Sequence, residues 1–315
     1  MQSWATGPER AGSNGHVRLT TDPCGDTFSA GRFRRIARIG LTQMLGNSPY
    51  NRTSGNPMHI DLFLRGSLVV LAGLAIGTAA AQTVRPVPPA GFTDLFDGKD
   101  LKGWRGRPGG GGVFSPYVEA KFTSEERAQK QSEWNVDRDL HWKVDSAKGE
   151  IVSDGKGVHL ATEKPYGDFE FRVDWMLTQP CGDSGVYLRD YPQVQIWDPS
   201  CPREQRNGAE KGSGGLWNNN ADNPGKWPLV KADNPIGQWN TLAIKMVGTR
   251  VWVKLNGKDV VVGQVLDNFF DRAQPVLPTG SIELQTHGSE VRFRNVYARE
   301  IPQSEGKALL ATVER

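Results

Sequence analysis

Residues 181–201 read Cys-Gly-Asp-Ser-Gly-Val-Tyr-Leu-Arg-Asp-Tyr-Pro-Gln-Val-Gln-Ile-Trp-Asp-Pro-Ser-Cys, and they decide the fold. Apolar residues alternate with polar or aromatic ones in two runs, around Val186 and around Val194. Because strand side chains alternate between faces, this pattern predicts two short strands joined at Asp190-Tyr191-Pro192. One face of the pair is apolar, and the other carries Tyr187, Arg189, Gln193, Gln195 and Trp197.

The polar and aromatic face indicates a binding surface. Arg and Gln side chains offer planar sets of hydrogen-bonding groups, and Trp offers a flat apolar plate. That mixture suits a sugar ring, which has hydroxyls around its edge and C–H groups on its faces. The alternative is an ordinary two-sided strand pair whose outer face is merely solvated.

Residues 58–81 have the pattern of a secretory signal peptide. Met58 is followed by Arg65, an apolar run and a small-residue Ala-x-Ala cleavage site before Gln82. The apolar run is too short for a comfortable membrane span. The alternative is a buried core helix. If Met58 is the initiator, residues 1–57, which lack hydrophobic periodicity, are an upstream extension that cannot bury a core. We expect a periplasmic or secreted protein.

The charge of the chain does not favour nucleic acid as a partner. The 315 residues carry a formal net charge of +3, but eight basic and only four acidic residues lie in residues 1–81. The remaining chain is close to neutral, so the basic isoelectric point is no argument for nucleic-acid binding. After signal cleavage, no membrane-spanning segment is expected.

Cys181 and Cys201 flank the strand pair. In an exported protein such a pair predicts a disulfide. A loop of that length stabilises a domain by roughly 3 kcal/mol in the chain-entropy description. A metal site built on two thiolates is the weaker alternative, because neither a CxxC spacing nor a nearby His supports it.

Other short strands dominate the chain from Trp142 onward. The run 169–177 alternates most clearly, with Phe169, Phe171, Val173 and Trp175 predicted to face the core. Many short antiparallel strands separated by turns predict an all-β sandwich or jelly roll. We expect a Pro-rich tether at 82–90, one domain at 91–301 and a tail at 302–315.

Three other segments carry predictions of their own. Thr123-Ser-Glu-Glu126 is a capping-box pattern that predicts a short surface helix over 123–131. Residues 105–116 are Gly-rich and predicted to be irregular. Residues 202–238 form a long loop, which we expect to make a rim over the binding face.

An ordered set of short motifs resembles the 3-keto-disaccharide hydrolase family. These motifs are Phe96-Asp-Gly-Lys-Asp-Leu-x-Gly-Trp104, Tyr166-Gly-Asp-Phe169, Ser184-Gly-Val-Tyr-Leu-Arg189, Val194-Gln-Ile-Trp-Asp198, Trp239-Asn240, Leu255-Asn-Gly257, Leu284-Gln-Thr-His-Gly288 and Phe293-Arg-Asn295. The resemblance covers residues 90–301 and implies a concanavalin/laminarinase-like jelly roll. It also implies cleavage, in the periplasm, of glycosides already oxidised to a ketone at sugar carbon 3, with either hydrolase or lyase outcome.

That chemistry requires a base rather than two spaced carboxylates. A ketone at C3 acidifies the hydrogen on C2, so a general base begins the reaction and the group on C1 then leaves. Ordinary glycosidases instead need a pair of acids. The strand with alternating acids that a laminarinase-like enzyme would show is absent, since Gln193, Gln195 and Trp197 occupy the outward positions.

We predict His287, Arg189 and Asp174 as the catalytic residues. His287 ends a strand on the same face as Glu283 and Gln285 and is the first choice for base or metal ligand. Arg189 would stabilise the enolate or hold hydroxyls; alternatively it pairs with Glu170 or Asp174. Asp174 is a candidate acid, or a solvated strand residue. The predicted substrate-binding residues are Glu170, Tyr187, Gln195, Trp197, Glu283 and Gln285.

A divalent metal and a non-catalytic role are open alternatives. Asp198, Glu283 and His287 together would suit a divalent cation, although oxygen and imidazole groups alone do not identify one. A carbohydrate-binding module would use the same face without a base. The third alternative, a retaining glycosidase, lacks its acid pair. The oligomeric state is not predicted.

Overall fold

The computed structural model describes residues 85–109 and 114–313. The predicted extension (1–57) and signal peptide (58–81) therefore lie outside the described residues. The strands, in chain order, are β1 (Thr93–Asp94), β2 (Trp104–Arg107), β3 (Trp142–Asp145), β4 (Glu150–Ser153), β5 (His159–Thr162), β6 (Phe169–Leu177), β7 (Asp183–Leu188), β8 (Tyr191–Trp197), β9 (Asn240–Val247), β10 (Arg250–Leu255), β11 (Lys258–Val265), β12 (Ile282–Leu284) and β13 (Val291–Glu300). The α-helices are α1 (Pro116–Glu119), α2 (Ser124–His141) and α3 (Gln303–Leu310).

The strands form two antiparallel sheets. The first sheet has the order β11-β10-β9-β6-β13-β4-β3, with β1 paired to β13, and the second has the order β2-β5-β12-β7-β8. The inward side chains of both sheets build one apolar core, to which Phe171, Trp175, Val186, Ile196 and Leu284 belong. This arrangement confirms the predicted all-β jelly-roll sandwich.

The strand β6 shows why the sequence folds this way. Phe169, Phe171, Val173 and Trp175 are buried in the core, as the alternation predicts. Strand β6 lies between β13 and β9, so its backbone is paired on both sides. A nine-residue strand with one fully apolar face is thus placed at the centre of the first sheet.

The helix α2 is longer than predicted. Its capping box at Thr123 and Glu126 is present, which confirms the predicted start. The helix ends at His141 rather than near Gln131. Its last turns contact β2 through polar side chains, so the sequence there has no apolar periodicity from which the extra turns could be predicted. Gln131 and Arg138 donate to the β2 carbonyls of Gly106 and Trp104, and Asn135 accepts the amide of Gly106.

The long segment 202–238 lies along β8 and closes the sandwich on that side. Backbone hydrogen bonds join Gln195 to both Gly214 and Gly215. Further along, the amide of Leu229 donates to the carbonyl of Val260 in β11. The segment therefore joins the edges of the two sheets. Its residue Trp217 contacts Trp197, with ring centroids 6.1 Å apart. The rim over the binding face stays a prediction.

Two further predictions concern local features. A disulfide joins Cys181 and Cys201, as predicted. The tail beyond residue 301 contains α3, and within the described residues no helix is both long and apolar enough to cross a membrane.

Candidate functional site

The outward side of the second sheet, here called the polar face, gathers most of the polar groups of interest. Cross-strand partners lie side by side on one face of a sheet. Arg107 is opposite His159, Glu283 is opposite Tyr187, and Gln195 is opposite Gly185. The polar face comprises Arg105, Arg107, His159, Asp183, Tyr187, Gln193, Gln195, Glu283 and Gln285, with His287 just beyond the end of β12.

A series of side-chain contacts runs across this face from His287. Its Nδ1 lies 3.2 Å from Oδ2 of Asp183. The other oxygen of Asp183, Oδ1, accepts a 2.7 Å hydrogen bond from Nε2 of Gln195. Gln195 Oε1 in turn accepts a 2.6 Å bond from Nε2 of Gln193. An imidazole with 62% of its side chain exposed is thereby connected to two buried amides.

Two side-chain carbonyl oxygens lie above Gly185: Gln193 Oε1, at the end of this series, and Gln285 Oε1, on the residue that follows β12. Gln193 Oε1 and Gln285 Oε1 are buried and have no hydrogen-bond partner among the described residues. A Cβ atom at Gly185 would lie 2.4 Å from the first oxygen and 3.1 Å from the second, so only glycine leaves them room. Buried polar atoms without partners are rare in native proteins. Two acceptors that converge on one point suit the hydroxyl groups of a ligand.

A buried ionic cluster lies on the β2 side of the face. Arg107 Nη1 lies 2.7 Å from Glu283 Oε1, and His159 Nδ1 lies 3.1 Å from Glu283 Oε2. Burial alone would raise the pKa of Glu283, but the charge of Arg107 and the hydrogen bond with His159 hold that pKa below its ordinary value. Glu283 therefore orients the His159 ring as a carboxylate.

Two more carboxylates complete the cluster. Arg107 Nε lies 3.1 Å from Glu119 and 3.4 Å from Asp190. Burial raises the pKa of Asp190 to about 6, against the opposing effect of Arg107. Asp190 also accepts a hydrogen bond from the amide of Ser281. A carboxyl group with this pKa exchanges its proton near neutral pH, which is uncommon away from functional sites.

The structure brings six of the nine predicted site residues to the polar face or its end. Tyr187, Gln195, Glu283 and Gln285 lie on it, and His287 and Trp197 lie at its end, next to Asp183. Trp197 is buried and donates Nε1 to the carbonyl of Gly212. The roles predicted for these residues stay predictions.

Arg189 does not lie on the polar face, contrary to the prediction. Leu188 pairs with Tyr191, so Arg189 and Asp190 form a two-residue turn, and both have positive φ, 54° and 69°. That geometry directs Arg189 to the carbonyls of Gly167 and Gly248 and to Asp168. Arg189 therefore links the hairpin to neighbouring segments, and its partner is neither of the carboxylates considered in the sequence.

Glu170 and Asp174 also lie away from the polar face, contrary to the prediction, because they belong to β6 in the other sheet. Glu170 bonds Arg172 and Arg299. Asp174 accepts hydrogen bonds from Thr241 and Asn295. These carboxylates face outward as the alternation predicts, but from the opposite sheet, so they cannot share a ligand with Gln195.

The three residues considered for a divalent metal are not gathered into one site. Glu283 binds Arg107 and His159, and His287 faces Asp183. Asp198 instead accepts hydrogen bonds from Ser200 and the amide of Cys181. Over the described part of the chain, no group of three or more His, Cys, Asp or Glu side chains is arranged to hold a metal ion.

Arg107, Asp183 and His159 were not among the predicted site residues, although His159 was expected near the rim. Residues 105–116 were expected to be irregular because they are Gly-rich, yet Trp104–Arg107 forms β2. The alternation of Trp104, Arg105, Gly106 and Arg107 could have revealed two arginines on one face. Asp183 is the first residue of β7, opposite Trp197. Apart from this position, nothing in the sequence indicates that it belongs to the site.

The solved structures that resemble the chain include two from one organism. One is a proposed glycosyl hydrolase from Parabacteroides distasonis, with 24% identity and a TM-score of 0.44 over 67% of this chain and 94% of that one. A second proposed glycosyl hydrolase from the same organism has 20% identity and a TM-score of 0.45 over 67% of this chain and 99% of that one. No curated protein matches the chain.

A family model gives the assignment. The model described as a 3-keto-alpha-glucoside-1,2-lyase-like domain matches residues 91–299, which include every residue of the polar face and both sheets apart from Glu300, the last residue of β13. The chain therefore belongs to the family of 3-keto-alpha-glucoside-1,2-lyase-like domains, a carbohydrate-active group.

Proposed function

We propose that the polar face binds a glycoside whose sugar ring carries a ketone at C3, and that His287 removes the C2 proton. The observation that carries the proposal is the series of contacts from His287 through Asp183 and Gln195 to Gln193. It joins an exposed imidazole, held by a carboxylate, to buried amide oxygens that suit sugar hydroxyls. Family membership supports the choice of substrate class.

The reaction follows from the acidity of the C2 hydrogen. The base takes the proton from C2, and the electrons of that bond form an enolate with the C3 carbonyl. When the carbonyl forms again, a C1–C2 double bond appears and the bond from C1 to the leaving oxygen breaks. The leaving group takes up a proton. Addition of water across the new double bond converts this elimination into net hydrolysis.

The neighbours of His287 suit it to the role of base. If Nδ1 carries the proton and its N–H donates a hydrogen bond to Asp183, Nε2 has the lone pair that accepts the C2 proton. Asp183 is in turn fixed by Gln195. Asp183 is thus a positioning residue that also stabilises the imidazolium formed after proton transfer.

The amide oxygens above Gly185 would hold the sugar ring. Gln193 Oε1 and Gln285 Oε1 accept hydrogen bonds from hydroxyls, and they discriminate against rings that lack them, because the oxygens would then stay unpaired. Both amides are fixed on β-strands or directly after one. The ring would therefore be held relative to His287 by rigid elements rather than by loops.

The decisive experiment compares nitrophenyl 3-keto-glucoside with the unoxidised nitrophenyl glucoside, with and without a chelator. We expect nitrophenol release from the keto substrate alone. His287→Ala should lower kcat by about 10²–10⁴-fold, the usual contribution of a general base. His141→Ala is the matched control, since that imidazole also contacts a carboxylate, 2.9 Å from Asp154, at the end of α2.

Each alternative has its own outcome in this experiment. Release from both substrates would indicate an ordinary glycosidase. Saccharide binding without release from either would indicate a non-catalytic binding module. Full activity in His287→Ala would remove that residue from the mechanism and direct attention to His159. Loss of activity with the chelator would show that the reaction needs a metal.

We propose further that the protein acts in the periplasm or is secreted. The signal-like segment at 58–81 supports this location. So does the disulfide between Cys181 and Cys201, since such bonds persist in oxidising compartments. Fractionation of cells that express the full chain, with detection of the mature amino terminus, tests the location.

A further inference from the structure

Residues 286–289, here called the base segment, lie between β12 and β13 and include His287. Just before them, Gln285 still pairs with β7, since its amide donates to the carbonyl of Gly185. The base segment itself belongs to no strand. The imidazole of His287 is 62% exposed, so little packing restrains it. Its position next to Asp183 therefore depends largely on what holds the backbone of the base segment.

A chain of buried hydroxyl groups attaches the base segment to the turn that follows β4. Thr286 Oγ1 donates to the carbonyl of Lys156, 3.1 Å away. A threonine hydroxyl has one hydrogen, so Ser153 is the donor in the 2.7 Å bond between Ser153 Oγ and Thr286 Oγ1. Ser153 Oγ in turn accepts the amide of Gly155. Ser153 and Thr286 are 0% and 7% exposed, so water does not readily replace these bonds.

The backbones of the turn and the base segment lie in direct contact at Gly155. Its carbonyl accepts the amide of Gly288 at 2.8 Å. A Cβ atom at Gly155 would lie 2.4 Å from the amide nitrogen of Ser289 and 2.8 Å from the carbonyl carbon of Gly288. Those backbone atoms cannot rotate away, and the φ of Gly155, +88°, also favours glycine. Only glycine therefore allows this contact.

The base segment contacts Asp183 at two points. His287 Nδ1 lies 3.2 Å from Asp183 Oδ2, and the hydroxyl of Ser289 accepts the amide of Asp183 at 3.3 Å. The segment thus holds the imidazole and its carboxylate together. A displacement of about 1 Å at a catalytic group can lower a rate about 10²-fold. Whatever fixes the base segment therefore fixes the geometry of the proposed base.

We propose that Ser153, Gly155 and Thr286 are positioning residues that hold His287 against Asp183. This inference rests on the proposed function, because it takes His287 to be the base. The three residues act through the backbone of the base segment rather than on the substrate. Ser153 lies in β4, so the first sheet aligns the base although the polar face belongs to the second sheet.

Thr286→Val tests the hydroxyl chain at nearly constant side-chain volume. For the nitrophenyl 3-keto-glucoside, kcat should fall about tenfold with KM little changed, because the base is displaced while the ring-binding groups are not. Thr286→Ser, which keeps the hydroxyl, should restore most of the wild-type kcat. Thr162→Val is the matched control, since this buried hydroxyl in β5 also donates to a carbonyl, of Lys164, and accepts an amide, of Ile282. It should lose similar stability in urea denaturation but keep the wild-type kcat.

Gly155→Ala tests the backbone contact. The new Cβ must displace the base segment, so kcat should fall about 10²-fold. Gly103→Ala is its control, because Gly103 has a similar φ of +83°, and no atom of the described residues lies within 4 Å of an added Cβ there. The control shares the strain of positive φ without the displacement, so it should keep the wild-type kcat.

A double-mutant cycle shows whether Thr286 acts through His287. In the His287→Ala background, Thr286→Val should leave the residual kcat unchanged, because the group that it positions is gone. A further loss in that background, a wild-type kcat in the single Thr286→Val variant, or an equal loss in Thr162→Val would overturn the inference. The proposed function would stand in each of these cases.

Amide hydrogen exchange followed by NMR gives a readout that needs no activity. The amide of Gly288 should exchange about tenfold faster in Thr286→Val than in the wild type, and at the wild-type rate in Thr162→Val. If the wild type does not cleave the keto substrate, the proposed function fails, and faster exchange would still show that Thr286 holds the base segment. Unchanged exchange of Gly288 would overturn the inference.

Discussion

Arg107 and Glu283 form an ion pair inside the protein, with Nη1 and Oε1 2.7 Å apart and neither side chain exposed to solvent. The pair joins β2 to β12 across β5, and it holds the carboxylate that orients His159. Removal of one partner of a buried pair leaves the other charge uncompensated, which costs roughly 3–5 kcal/mol. This pair therefore stabilises the second sheet and also fixes the position of His159 on the polar face.

We predict that Arg107→Leu lowers the free energy of unfolding by roughly 3–5 kcal/mol, measured by urea denaturation. Three carboxylates would then lie together without their shared cation. Arg203→Leu is the control, because its pair with Glu204 is 69% exposed at the arginine and should contribute less than about 1 kcal/mol. If both variants lost a similar amount of free energy of unfolding, the buried pair would stabilise the protein no more than an exposed pair does.

The pKa of Asp190 gives stability a specific pH dependence. Burial raises this pKa to about 6 in the folded protein, above the ordinary value of 3.8. The folded state therefore binds the proton more tightly than the unfolded state, so the contribution of Asp190 to stability is greatest below pH 4 and is lost as pH rises through 6. The difference in pKa corresponds to about 3 kcal/mol.

Asp190→Asn should remove that dependence. The free energy of unfolding of the variant minus that of the wild type should increase between pH 4 and pH 7, and should change little above pH 7. Urea denaturation at half-unit steps of pH measures this difference, in which the titrations common to both proteins cancel. A difference that stays constant with pH would mean that Asp190 has an ordinary pKa.

Gly185→Ala should weaken substrate binding without unfolding the protein. The new Cβ would displace Gln193 Oε1 and Gln285 Oε1, which are the ends of flexible side chains. We expect KM for the keto substrate to rise about tenfold, since two hydrogen bonds of about 1 kcal/mol each would be perturbed. Gly167→Ala, where the nearest atom is 3.8 Å away, is the control and should leave KM unchanged.

The disulfide should contribute to stability but not to chemistry. Cys181→Ser with Cys201→Ser should reduce the free energy of unfolding by roughly 3 kcal/mol, as expected for a closed loop of this size. The bond lies outside β7 and β8, and the pairing of these strands holds Asp183 and Gln195 in place without it. At a temperature well below the unfolding midpoint, kcat should therefore stay near the wild-type value. Thermal denaturation and a kcat measurement at 15 °C would distinguish the two effects.

The sandwich could be predicted from the sequence because alternation is a local property. The period of two in 169–177 predicted the inward face of β6, which the structure confirms. The alternation over Trp104–Arg107 spans only four residues and leads directly into a Gly-rich segment, so it was not interpreted as a strand. The arginines of β2 were therefore overlooked.

The composition of the polar face depends on which strands become neighbours, and a sequence does not show this directly. Asp174 and Gln195 both face outward on their strands, yet they belong to different sheets. In the sequence, Arg189 continues the alternation of β7, but a turn with two positive φ values interrupts the strand before it. Pairing of β12 between β5 and β7 is what brings Glu283 and Gln285 beside Tyr187 and Gly185.

The contact between α2 and β2 protects an outer strand of the second sheet from pairing with another molecule. Backbone groups on an unpaired outer strand readily recruit a strand from another chain, which leads to aggregation. Here the side chains of Gln131, Asn135 and Arg138 occupy those groups on β2, and residues 214–215 occupy them on part of β8. The sheet that carries the polar face is thus protected at both margins against growth by strand addition.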